Sequence, residues 1–134
     1  MKVKLRQIAA SVSEAALGEH RLIVDRPEDK GGTNAGPMGG QLFLASVGGC
    51  FMSNLLAAIR ARDAAVTEVE TEVAATLAGN PVQFTALELT VTASCADPDQ
   101  LSKLVEIADR GCIMMNTLRG KLDLTIRITA SVSG

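Results

Sequence analysis

From Leu42 to Ile59 the chain carries no charged residue, and Arg60 and Arg62 close the run. The stretch from Gln41 to Arg62 is rich in helix formers, and its terminal cations suit the carboxyl end of a helix dipole, so the sequence predicts one long central helix here. At about 100° per residue, Leu44, Val47, Phe51, Met52, Leu55, Leu56 and Ile59 spread over much of the helix circumference. A helix that is apolar nearly all round must be covered nearly all round. A two-layer domain covers one side, so the other requires lipid or a second copy of the chain. The run approaches the ~18 residues at which a membrane span becomes a candidate, but Ser46, Gly48, Gly49, Ser53 and Asn54 dilute its hydrophobicity. The expectation is a homodimer whose central helices pack together, and no membrane insertion.

With 134 residues there is room for a single domain, residues 1–134, and a chain of this size buries only a modest share of its surface alone. Trp and Tyr are absent, and Phe43, Phe51 and Phe84 are the only aromatic residues. The core is therefore expected to be aliphatic and sulfur-containing. A net charge of −2 with interspersed signs provides no basic stripe, which argues against nucleic acid as a partner. The opening MKVKLRQIAASV lacks the continuous apolar stretch of a signal peptide, so the expected location is the cytoplasm.

Val3, Leu5 and Gln7 alternate with Lys2, Lys4 and Arg6, the period of a strand with one wet face. Arg21 to Asp25 reads as a second strand, with Gly18 and Glu19 as a hairpin turn between them. Pro27 to Gly40, full of Gly, Pro, Asp and Asn, is a loop. Beyond the central helix, Glu68 to Leu77 and Val82 to Ala93 alternate on either side of Gly79-Asn80-Pro81, which predicts a β-hairpin. Asp97 and Pro98 then cap a helix whose apolar face is Leu101, Leu104, Val105 and Ala108, and Gly111 stops it. A short helix from Cys112 to Leu118 and a closing strand from Lys121 to Val132 complete the chain. This order describes an α+β domain, with antiparallel pairing expected because no regular strand-helix alternation demands otherwise.

Three cysteines, Cys50, Cys95 and Cys112, are too few for a disulfide scaffold, and in a reducing compartment they are expected to be thiols unless they perform redox work. Cys95 closes a strand and reads as core. Cys50 shares a narrow helical arc with Ser46, Ser53 and Ala57. Such small neighbours either permit close backbone packing or leave space above a reactive sulfur. A thiol attacks a peroxide only as thiolate, which needs a nearby cation or the start of a helix. Inside its helix Cys50 has neither, and Arg6, His20 and Arg21 are the candidate cations. Cys112 follows a helix stop and opens a new one, where free N–H groups would stabilise its thiolate.

The segments Pro37-Met38-Gly39-Gly40-Gln41-Leu42-Phe43-Leu44-Ala45-Ser46-Val47-Gly48-Gly49-Cys50 and Cys112-Ile113-Met114-Met115-Asn116-Thr117-Leu118 together resemble the paired motifs of the OsmC/Ohr family, and Asp25 to Gly32 is similar as well. The resemblance implies an intertwined homodimer, two central helices enclosed by sheets, and active sites at the subunit interface. It assigns Cys50 as the peroxidatic and Cys112 as the resolving cysteine. It further implies organic hydroperoxides or hydrogen peroxide as substrates, an external dithiol as reductant, and no metal or organic cofactor. Family peroxidases often carry a Glu ten positions before the first cysteine, orienting an activating Arg. Gly40 stands at that place, and Arg6 and Arg21 are the candidates for the Arg.

The rival reading is a non-catalytic member that holds an apolar small ligand at the dimer interface. Gly40 and the scarcity of aromatics favour the ligand binder, whereas two thiols in recognisable motifs favour the enzyme. The loop from Gly31 to Gly40 lacks the lysine and hydroxyl of a phosphate-binding loop. His20 has no cysteine or histidine at ligand spacing for a metal, and no nucleophile elbow completes a triad with Asp25.

Overall fold

A computed structural model describes residues 1–133 of the chain, which divides into two units, residues 1–43 and 44–134. In the first, β1 (Lys4–Gln7), β2 (Ser13–Leu17) and β3 (His20–Val24) form an antiparallel sheet in the order β1-β2-β3. Gly18 and Glu19 turn between β2 and β3, with Gly18 at φ 61° in the left-handed region that glycine tolerates. The strand β2 is an addition to the sequence reading. Its residues SEAAL are poor in β-branched side chains, and pairing on both sides, rather than propensity, makes them a strand. The strand β1 is exposed on both faces, so Leu5, on the side expected to be covered, remains 55% exposed.

The loop after β3 is organised around Asp25, 3% exposed. Its carboxylate accepts hydrogen bonds from the N–H groups of Arg26 (2.7 Å), Thr33 (3.0 Å) and Ala35 (3.1 Å) and from the Thr33 hydroxyl (2.6 Å). The main chain doubles back so tightly that a Cβ at Gly32 would collide with the Arg26 carbonyl.

The predicted central helix is α1 (Gly39–Ala61). It ends in a Schellman motif: Asp63, at φ 46°, donates its N–H to the Arg60 carbonyl, and Ala64 donates to Ile59. Val47, Phe51 and Leu55 are fully buried, but Leu56 is 44% exposed, and Ala45 and Gly49 are exposed too. By length and composition α1 could cross a membrane, a property it shares with core helices of soluble proteins.

The second sheet joins β4 (Val66–Ala78), β5 (Gln83–Cys95) and β6 (Asp123–Val132) in that order. The strands β4 and β5 form the predicted antiparallel hairpin, with a bulge where Glu68 takes φ 55°. The β5–β6 pair corrects the antiparallel expectation, because these strands run parallel. Two helices lie between them, α2 (Pro98–Gly111) and α3 (Ile113–Leu118), and they carry the chain back to the end of the sheet where β5 began, so β6 leaves in the same direction. The core of this unit is sulfur-containing and aliphatic: Leu87, Leu89 and Val91 from β5, Leu101, Leu104 and Ala108 from α2, with Phe51, Cys95 and Met115. Asp97 caps α2 by accepting the Asp99 N–H at 3.0 Å.

Candidate active site

The cysteine pair is built from one helix and the break between two others. Cys50 is part-exposed on α1. At Gly111 α2 ends, and Cys112 takes an extended conformation (φ −81°, ψ 113°) that makes it both the last cap of α2 and the first cap of α3. Its Sγ accepts the Met115 N–H at 3.5 Å, in the manner of a serine N-cap. Cys112 is fully buried. Both thiols are free, and each acts on the acidity of the other.

Their acidities diverge. Burial pushes the Cys50 thiol up, but the Met114 N–H, the Cys112 thiol and the Ile113 N–H all favour its thiolate, and the balance is a lowered pKa. For Cys112, burial again pushes up; the Met115 and Met114 N–H groups pull down, and the adjoining Cys50, as hydrogen-bond partner and as charge, raises it to a net increase. Of the two sulfurs, Cys50 is the more acidic and Cys112 holds its proton the more tightly.

The helix-start amides expected to serve Cys112 act on both sulfurs: the Met115 N–H bonds Cys112 Sγ, and the Met114 and Ile113 N–H groups favour the Cys50 thiolate. Cys112 occupies the cap of α3, where the first N–H groups of a helix have no intrahelical partner and are free to serve a sulfur. The sequence offered these helix-start donors to Cys112, and to Cys50 only side-chain cations. Arg6 forms an ion pair with Glu14 at 3.1 Å, and Arg21 donates to the carbonyls of Gly18 (3.2 Å) and His20 (3.0 Å), so both guanidinium groups are engaged within the amino-terminal sheet. Asp25, the imagined partner of His20, is committed to its own loop. Cys95 is buried core, as read from the sequence.

At the start of α1, Gly40 lines a cleft of about 450 Å³ with Ser11, Asp25, Lys30 and Gly39, and the lining holds no thiol. Beside Cys50's helix a shallower groove of about 360 Å³ is lined by Leu44, Gly48, Gly49, Met52, Thr71 and Val73. Among the described residues, no three His, Cys, Asp or Glu side chains are placed to hold a metal.

The model of the family described as OsmC-like protein matches residues 31–127, nearly three quarters of the chain. The chain belongs to the OsmC-like family. Cys50 and Cys112 both fall within the matched region, and Arg6 and Arg21 fall outside it. Solved structures agree on the fold. The OsmC-like chain is 15% identical to the OsmC like protein of Mycoplasma pneumoniae, with a TM-score of 0.85 and coverage of 97% of this chain and 96% of that one. It is 21% identical to an organic hydroperoxide resistance protein OsmC of Legionella pneumophila, with a TM-score of 0.69 over 96% and 95% of the two chains. To the organic hydroperoxide resistance protein OhrB of Bacillus subtilis it is 20% identical, with a TM-score of 0.65 over 96% of each. No curated protein sequence matches it.

Proposed function

We propose that this OsmC-like protein is a cysteine-based peroxidase that reduces organic hydroperoxides or hydrogen peroxide, acting as a homodimer in the cytoplasm and recycled by an external dithiol. The reading is carried by two free thiols that act on each other's acidity and are shifted in opposite directions. Family membership supports a redox role, and three of the structural neighbours are named for resistance to organic hydroperoxides.

The chemistry follows from the pair. The Cys50 thiolate attacks one oxygen of the O–O bond, so that an S–O bond forms, the O–O bond breaks and an alkoxide leaves. Cys112, the less acidic thiol, gives that alkoxide its proton, which yields the alcohol and leaves Cys112 as thiolate. This thiolate attacks the Cys50 sulfenic acid, forming the disulfide and releasing hydroxide, which takes a proton from solvent. Two electrons from a dithiol restore both thiols. In this scheme backbone amides of α3 supply the activation that a Glu–Arg pair supplies in relatives, which accommodates Gly40.

Homodimerisation is supported by the bare side of α1 and by exposed Val3 and Leu5 in one unit and Leu77 and Val82 in the other, apolar surface that a second copy would cover. The groove along Leu44 and Met52 favours a second reading, an apolar ligand held at that interface without turnover.

Free-thiol titration before and after one equivalent of an alkyl hydroperoxide separates the two. The peroxidase loses two thiols per chain, and Cys50→Ser loses none. Unchanged thiols in the native sequence would remove the enzyme and leave the ligand binder.

A further inference from the structure

Asn54 stands one turn beyond Cys50 on α1, in the middle of a helix where asparagine is a poor former. Its Nδ2 donates to the Cys50 carbonyl at 3.2 Å and lies 3.9 Å from the Cys50 Sγ. The carbonyl can only accept, so this bond fixes which end of the amide faces Cys50, and the second N–H is left for the sulfur. The opposite edge of the same amide rests against the end of α2: a Cβ at Gly111 would sit 3.8 Å from both Cγ and Oδ1 of Asn54. One side chain therefore spans the distance from the Cys50 sulfur to the residue preceding Cys112.

We infer that Asn54 is a positioning residue for Cys50, whose side-chain amide holds the sulfur toward α3 and donates to it in the thiolate form. At 3.9 Å the contact is long for a thiol, and it strengthens as negative charge develops on sulfur. The thiolate then receives donors from two directions, the α3 backbone and the Asn54 amide. None of these donors carries a charge that a distant loop must deliver. The inference rests on the proposed function only in taking Cys50 as the reacting sulfur.

The test is the pH dependence of Cys50 alkylation by iodoacetamide, followed by peptide mass on the full-length protein. Asn54→Leu, similar in volume but without a donor, is expected to move the alkylation midpoint upward. Asn54→Asp keeps the shape and adds a like charge, so its midpoint should rise further, by about one pH unit or more above the native value. A merely structural asparagine would lower thermal stability and leave the Asn54→Leu midpoint in place, while the added charge of Asn54→Asp raises its midpoint in either case. An Asn54→Leu midpoint equal to the native one overturns the inference, as does a midpoint for Asn54→Asp no higher than that for Asn54→Leu. Because alkylation uses no peroxide, the two ideas fail separately. An unmoved Asn54→Leu midpoint with two thiols still consumed by hydroperoxide removes the role of Asn54 alone, and shifted midpoints without peroxide consumption remove the peroxidase alone.

Discussion

Asp25 is the one charged side chain among the buried described residues, and a loop rather than a substrate accounts for it. The Thr33 hydroxyl first, then the Ala35 N–H, with the Arg26 N–H and the Ser11 hydroxyl, outweigh the cost of burial and hold its carboxyl well below the usual carboxylate range. A depressed folded-state pKa contributes stability that is fully present above the unfolded value of about 3.9 and is lost as pH falls through it toward the folded value. The thermal midpoint should therefore drop steeply below about pH 4. Asp25→Asn, whose NH2 would face donors, should lower the midpoint at neutral pH and flatten that acid limb; an unchanged limb would contradict this account. At the same scale the thiols were legible as a pair of positions in matching motifs. Their acid–base order was not, because it depends on where Ile113 and Met114 point their backbone N–H groups, and no residue type advertises that.

Elements were readable where one physical signal dominated. The uncharged run announced α1, the Asp97-Pro98 cap announced α2, and period two announced β4, β5 and β6. The strand β2 escaped because SEAAL gains its strand character from neighbours on both sides. The parallel return of β6 escaped because alternation reports a strand's faces and not its direction. Close packing of α1 against β4 leaves a testable mark at Gly48, where an added Cβ would meet Val73 Cγ2 at 2.9 Å. Val is stiff at χ1, so the ~1–3 kcal/mol of overpacking should exceed the ~1 kcal/mol gained in helix propensity, and Gly48→Ala should destabilise. In a Val73→Ala background, where that methyl is gone, the same substitution should become stabilising. Urea unfolding of the four proteins in this cycle provides the measurement.

On the scale of the whole molecule, the sequence demanded more cover for α1 than one chain can give, and Leu56, Ala45 and Gly49 are indeed bare in the single chain. Small-angle scattering should return twice the mass of one chain, and a stable monomer would contradict the reading of that helix. An apolar face specifies only that water must leave, and the second copy expected to cover α1 is what the scattering measurement tests. That one-sided burial also has a thermodynamic corollary. If folding is completed only when two copies meet, it is a bimolecular equilibrium, and its melting temperature must climb with protein concentration by mass action. Dilution alone, with no change of solvent, would then act as a denaturant.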